Sequence, residues 1–213
     1  MTRENSGKTR IIIAVACFIC AGMITYILNA RYGMGATPFD LAVQKFFISI
    51  RTDFFNVLIS TLAHCSDTVT IILLSIVLVI IPNRKKYGIP VTLAELVGLA
   101  IYKPMKHLFL RARPDVVYHL VEQGGYSFPS GHSTTSVIVY GLLFYLIRKN
   151  CKNEKLKNIL SAICLILALT IAPSRLYVGV HWATDVLCGA FIGFGVLMLA
   201  ITILERTNKN ESI

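Results

Sequence analysis

Hydrophobic residues fall into long runs separated by short polar stretches. Six runs approach the roughly 20 apolar residues that a helix needs to cross a bilayer. They cover 11–30, about 68–81 with a few residues before it, 89–110, 132–147, 156–172 and 183–204. The second and fourth are the shortest. No period-two alternation of the outer-membrane kind is present, so the expected fold is all-α, an integral-membrane bundle of six transmembrane helices. Segment 39–51 has a different pattern. Phe39, Val43, Phe46, Phe47 and Ile50 recur at helical spacing, with Asp40, Gln44, Lys45 and Ser49 opposite. This predicts an amphipathic helix in the membrane interface, which either packs over the bundle or gates the entry of a lipid tail. Asp67, with Ser66 beside it, is placed to cap the second membrane helix. Pro82 and Arg84-Lys85-Lys86 end that helix. No internal repeat or long linker is visible, so residues 1–213 read as a single domain.

Composition agrees with a membrane protein. The 213 residues are 55% hydrophobic and only 15% charged, too apolar for an ordinary soluble domain. A net charge of +10 would suggest nucleic acid in a soluble protein, but here its distribution decides, and no nucleic-acid partner is expected. With a cytoplasmic N-terminus, the inner segments hold Arg3, Lys8, Arg10, Arg84, Lys85, Lys86, Arg148, Lys149, Lys152, Lys155, Lys157, Arg206 and Lys209, thirteen of the 21 Lys and Arg. The positive-inside rule then predicts a multi-pass protein of the cell membrane with both termini cytoplasmic. The first run follows Arg3, Lys8 and Arg10 as a signal peptide does. Its length and the lack of a small-residue cleavage site predict a retained helix instead. The six cysteines form no disulfide framework: Cys17, Cys20, Cys164 and Cys188 sit in apolar runs as small hydrophobes, and Cys17-x-x-Cys20 lacks the context of a redox motif.

The same topology sends three polar stretches to the outer side: Lys106…Arg113-Pro114, Pro129-Ser130-Gly131-His132 and Ser174-Arg175…His181…Asp185. Ionisable groups at membrane helices are costly and ask for a function. Lys106 and Arg113, two turns apart, are expected to share a face of the third membrane helix, which should stop near Arg113 because Pro114 disfavours helical geometry before it. Arg offers phosphate a planar fork and Lys a point charge; snorkelling cations at a helix end are the plainer alternative. Glu95 and Lys103 are also intramembrane, and either pair together or support Lys106. In the second stretch Ser130 suits an N-cap, Gly131 allows close backbone approach, and the free N–H groups of a helix start bind anions. His132 is then placed to protonate a leaving oxygen, unless it is incidental to an ordinary helix start.

In the third stretch His181 and Asp185, four apart, stack on one helical face. A carboxylate that accepts from one ring nitrogen leaves the other free to attack, and Arg175 adds a fork for the transferred group. A purely structural His–Asp pair is the alternative. No metal or other cofactor is expected. The outer acids Asp40, Asp53, Asp67, Asp115, Glu122 and Asp185 are scattered, whereas a magnesium-dependent phosphatase needs converging carboxylates. His64, His107 and His119 lack ligand spacing and are expected to make local hydrogen bonds.

Together the three stretches resemble the three-part signature of the type 2 phosphatidic acid phosphatase superfamily. Lys106-x6-Arg113-Pro114, Pro129-Ser130-Gly131-His132 and Ser174-Arg175-x5-His181-x3-Asp185 carry every signature position at the usual spacing. The resemblance implies an all-α membrane bundle with its site at the outer surface. It also implies roles: Lys106, Arg113, Ser130, Gly131 and Arg175 bind phosphate, His132 is the general acid, His181 is the nucleophile and Asp185 orients it. Soluble vanadium haloperoxidases share the fold, and the membrane runs argue against that branch. The chain looks like the small bacterial members, which act on undecaprenyl diphosphate or phosphatidylglycerophosphate. The expected activity is a metal-independent lipid phosphatase using a phosphohistidine, first of all on undecaprenyl diphosphate. Phosphatidylglycerophosphate and phosphatidic acid are the alternative substrates. A lipid transporter, or a phosphotransferase to a lipid acceptor, would use some of the same groups. The expected partners are a membrane lipid phosphate and the bilayer itself.

Overall fold

The structure, a computed structural model, describes residues 3–80 and 82–210. Among them are eight α-helices and no strand: α1 Arg3–Tyr32, α2 Pro38–Ser49, α3 Asp53–Ala63, α4 Thr68–Ile80, α5 Gly88–Phe109, α6 Gly131–Asn150, α7 Glu154–Tyr177 and α8 Ala183–Asn210. Each of the six apolar runs and the amphipathic segment has its helix. α2 starts with a capping box: the Asp40 N–H donates to Thr37 Oγ1 at 3.1 Å and the Thr37 N–H to Asp40 Oδ2 at 2.9 Å, with Pro38 preset at the first position. α3 departs from expectation. The residues before the second run form a separate helix capped by Thr52, and a 3-10 turn His64–Ser66 joins it to α4 with a 52° bend.

α6 sits at the centre, packed by α5, α7 and α8. Its Ile138, Val139, Leu142 and Leu146 are buried in the main core. A short apolar run suffices there, because protein rather than lipid surrounds it. Small residues bring α8 close to α6: a Cβ on Gly189 would lie 2.4 Å from the Ser130 carbonyl oxygen, and one on Gly193 2.7 Å from that of Thr134. α1 lies along α8, and near the chain termini Arg10 pairs with Glu205 at 2.7 Å, while Tyr145 donates to the same carboxylate at 2.8 Å. The opposite end gathers the C-termini of α1, α5 and α7, the N-termini of α2, α4, α6 and α8, and the long α5–α6 loop.

Among the described residues, three helical stretches are long and apolar enough to cross a membrane: Asn5–Tyr32, Glu154–Tyr177 and Ala183–Thr207. The bent α3–α4 pair makes a fourth if it is one span. α5, with Glu95, Lys103 and Lys106, and α6, which opens on Ser133-Thr134-Thr135-Ser136, fall short by that measure. Apolar side chains such as Ile12, Tyr26, Leu73, Ile76, Ile166 and Leu169 point outward, a girdle too large for an ordinary water-exposed surface.

Candidate active site

The three polar stretches converge at the end opposite the chain termini, but by a different geometry from the one their spacing predicts. α5 stops at Phe109 because Leu110 takes the left-handed conformation (φ 51°) and returns its N–H to the Lys106 carbonyl at 3.1 Å. Arg113 therefore lies in the loop beyond the helix, and the two cations do not share a helical face. They meet through the loop instead. Lys106 Nζ donates to the carbonyls of Tyr126 at 2.7 Å and Ser127 at 3.2 Å. Arg113 donates to those of Gly124, Gly125 and Tyr126 at 3.0–3.2 Å and of Val180 at 2.7 Å. Gly125 takes φ 72°, which lets the loop turn its carbonyls inward. Burial lowers the Arg113 guanidinium to about 10, still charged at neutral pH.

His181 is likewise not on a helix. It precedes α8 in a tight turn, so helical stacking is not what pairs it with Asp185. The Trp182 N–H donates to Asp185 Oδ2 at 2.9 Å and sets the carboxylate under the ring. His181 Nδ1 then lies 3.4 Å from Asp185 Oδ2, a long contact, and 3.3 Å from the Ser127 hydroxyl, which itself donates to that carboxylate oxygen. The other nitrogen, Nε2, is 3.1 Å from Arg113 Nη1. With Nδ1 turned to the carboxylate, Nε2 carries the lone pair and faces the cations. Burial first, and then the charges of Arg113, Lys106 and Arg175, push the His181 imidazole well below 6.5. The ring is thus neutral at ordinary pH.

Asp185 is fixed from below by a residue absent from the sequence-based set. Arg111, 1% exposed, donates from Nη1 to Asp185 Oδ1 at 2.5 Å and to Thr184 Oγ1 at 2.7 Å. From Nη2 it donates to Asp40 Oδ2 at 2.7 Å and the Gly35 carbonyl at 2.9 Å, and from Nε to the Met34 carbonyl at 3.1 Å. Asp40, fully buried on α2, also accepts from the Thr184 N–H and hydroxyl. The amphipathic helix is therefore bolted to the start of α8, beneath His181.

The remaining expected residues close the ring. Ser130 caps α6, its Oγ accepting from the Ser133 N–H at 3.4 Å and hydroxyl at 2.9 Å, while its own N–H reaches the Asp185 carbonyl at 3.0 Å. Gly131 is pressed on α5, where a Cβ would lie 2.9 Å from the Tyr102 ring. His132 Nε2 pairs with Asp67 Oδ1 at 2.7 Å, and Asp67 Oδ2 with His64 Nδ1 at 2.6 Å. The hydrogen bond from His132, helped by that from His64, holds the Asp67 carboxyl at about 2. Asp67 was expected to cap α4; its side chain serves the two imidazoles. Arg175 is buried on the last turn of α7; its Nη2 donates to Gln123 Oε1 at 2.6 Å, and its Nε is buried without a protein partner. Glu95 accepts from Thr135 at 2.6 Å, while Lys103 lies exposed. His107 stacks edge-on against Tyr126, and His119 contacts the Pro114 carbonyl at 3.0 Å. Among the described residues no group of three or more His, Cys, Asp or Glu is spaced to hold a metal ion.

Such a ring of cations around a neutral, oriented imidazole suits the binding of a phosphoryl group and attack on it. Comparison with known proteins points the same way. Residues 68–209 match the PAP2 superfamily. Phosphatidylglycerophosphatase B of Bacillus subtilis is 30% identical over 177 residues, which cover 80% of this chain and 85% of that one. An undecaprenyl-diphosphatase of Sulfolobus acidocaldarius is 28% identical over 141 residues, 64% of each chain. The crystal structure of the transmembrane PAP2-type phosphatidylglycerolphosphate phosphatase of Bacillus subtilis superposes with a TM-score of 0.76 at 25% identity, covering 91% of this chain and 96% of that one.

Proposed function

The chain belongs to the PAP2 superfamily and is a phosphoric ester hydrolase, and we propose that it is a six-span membrane enzyme that converts undecaprenyl diphosphate to undecaprenyl phosphate through a phosphohistidine. The observation that carries the mechanism is the pose of His181: Nδ1 on Asp185 and Ser127, Nε2 3.1 Å from Arg113. Nε2 attacks the terminal phosphorus, forming the N–P bond as the bond from phosphorus to the leaving oxygen breaks. His132 gives that oxygen its proton. Water then attacks phosphorus, His132 takes the water's proton, the N–P bond breaks and phosphate leaves. Lys106, Arg113 and Arg175 hold the phosphoryl oxygens and offset the charge that develops on them. The unpartnered Nε of buried Arg175 supplies a donor for one of these oxygens, and Ser130 and Gly131 shape the helix start beneath them.

The alternation of α1, α4, α5, α6, α7 and α8 between the two ends of the bundle supports the reading of six spans. An even number returns both termini to one side, and the Lys and Arg distribution makes that side cytoplasmic. The site then opens on the outer face, suited to a lipid diphosphate released there.

A second substrate, phosphatidylglycerophosphate, is favoured by one observation: the relative matched over 85% of its own length bears the name of that activity. The test is phosphate release by the purified protein across a panel of lipid phosphates and diphosphates. A clear preference for undecaprenyl diphosphate supports the first reading, and a preference for phosphatidylglycerophosphate replaces it. His181→Ala is expected to lower release on every substrate by at least about 10³-fold. A variant that still turns over would sink the phosphohistidine.

A further inference from the structure

We propose that Asp67 is a positioning residue for proton donation by His132, and that its weight in catalysis grows with the basicity of the leaving oxygen. The proposal rests on the reading of His132 as the donor. Asp67 lies in the turn between α3 and α4, outside all three signature stretches. Its carboxylate nevertheless touches His132 Nε2 at 2.7 Å, a shorter contact than Asp185 makes with His181. The turn is tied to the start of α6 by the Ser66 hydroxyl on the His132 carbonyl at 3.4 Å, and to α4 by the Ile71 N–H on the Asp67 carbonyl at 3.0 Å. The two imidazoles of the site thus each rest one nitrogen on a carboxylate.

The charges around His132 explain why it needs this partner. Arg175 faces it from α7, Arg113 from the α5–α6 loop and His181 from the turn before α8, while Asp67 and, behind it, His64 face it from the α3–α4 turn. Two fixed cations oppose the imidazolium, and burial opposes it further. Asp67 is the negative group that favours it. Held at Nε2, the ring keeps Nδ1 for the leaving oxygen. The side chains of His64, Asp67 and His132 are 64%, 36% and 14% exposed, so the contacts form a chain from solvent to the donor.

The chemistry sets where this matters. Cleaving an alkyl phosphate monoester expels an alkoxide, which must be protonated as the bond from phosphorus to oxygen breaks. A diphosphate expels a phosphate, and p-nitrophenyl phosphate a phenolate; both are weak bases that leave without much help. Asp67→Asn should therefore be selective. In purified full-length protein it is expected to lower kcat/KM on dioctanoyl phosphatidic acid by about 30-fold or more. On p-nitrophenyl phosphate and farnesyl diphosphate the loss should stay within about threefold, the size of a minor packing change. Asp67→Glu restores part of the phosphatidic acid activity. The readout is a ratio between substrates on one preparation, so partial unfolding lowers all three rates and leaves it unchanged. An even loss on all substrates, or no loss on any, overturns the role of Asp67. His132→Ala separates the two readings. Selective loss there with an even loss for Asp67→Asn removes Asp67 alone, whereas an even loss for His132→Ala overturns the donor assignment beneath the proposal.

Discussion

Replacing Arg111 by methionine tests whether His181, the proposed nucleophile, is positioned from below. Arg111 spends its guanidinium on Asp185, Asp40, Thr184 and two backbone carbonyls, with both carboxylates fully buried. Methionine fills most of the stem volume and leaves two buried carboxylates without the cation they share. Removing one partner of a buried ion pair costs about 3–5 kcal/mol, chiefly because the other charge is left uncompensated. Asp40 keeps the Thr184 N–H and hydroxyl, and Asp185 keeps Ser127 and the Trp182 N–H, so the lower half of that range applies. For a chain of this size about 3 kcal/mol corresponds to a fall of about 6–12 °C in Tm. Activity should fall further than stability. Without Arg111, Asp185 loses the donor on Oδ1 and with it the fixed orientation that sets its carboxylate under the His181 ring. Substitution of the orienting Asp in a serine-protease triad lowers kcat by about 10⁴, which bounds the loss. Adding Asp40→Asn to Arg111→Met removes one of the two stranded charges and should recover about half of the lost Tm while leaving kcat low. Tm in detergent and kcat on one soluble phosphate ester, measured for both singles and the double, complete the cycle. A Tm for Arg111→Met within 2 °C of the parent with kcat unchanged would refute the positioning role; additive singles would refute the coupling through Arg111.

Arg175→Lys keeps the charge but loses the fork, the Gln123 contact and the unpartnered Nε; KM for phosphate esters should rise about tenfold or more, with a smaller change in kcat. The pH profile of kcat/KM should hold through pH 6.5 on the acid side, because His181 is driven well below 6.5 by burial and by Arg113, Lys106 and Arg175. An acid limb centred at or above 6.5 that persists in a His132 variant and moves with a change in the cations would contradict this. Stability has the same sign: the unfolded chain binds a proton at His181 that the fold does not, so this contribution is intact above pH 6.5 and is lost as pH falls below it. Gly189→Ala puts a Cβ 2.4 Å from the Ser130 carbonyl, and should lower Tm by about 4 °C or more as α8 shifts from α6. It should also lower kcat, since displacing Ser130 disturbs the bond from its N–H to the Asp185 carbonyl.

The helices were legible because a membrane-sized apolar run has few alternatives; seven of the eight correspond to a run or a periodic segment in the sequence. α3 was not, because its apolar residues Phe54, Phe55, Val57 and Leu58 face outward and merge with the run that follows, so only the Thr52 cap and the bend at Asp67 divide them. The site showed the same split. Lys106, Arg113, His132, Arg175, His181 and Asp185 stand out as costly residues in apolar surroundings. The geometry that joins them did not, because spacing rules assume one continuous helix, and Leu110 and the turn at His181 each break it. Arg111 hid two residues from Arg113, where one more cation looks like a helix end. Asp67 and Asp40 each had a sufficient local explanation, a cap and a polar helix face. Only tertiary contact shows that these acids serve residues 65 and 144 positions away.

The arrangement also explains how three cations tolerate each other beside a buried imidazole. Lys106 and Arg113 spend their donors on backbone carbonyls from residues 124–127 and 180, which satisfy geometry without cancelling charge. The negative groups are kept to the edges: Asp185 is shared with Arg111, and Asp67 faces His132 on the opposite side. The centre therefore stays net positive, with the Nε of buried Arg175 left without a protein partner. Filling the gap with a carboxylate would stabilise the resting protein and weaken its hold on phosphate. Holding the cations with neutral dipoles leaves their attraction for the charge that grows on the phosphoryl oxygens, where preorganised electrostatics contributes most to rate. The loop that supplies those carbonyls is thus as much a part of the proposed phosphate site as the side chains it aims.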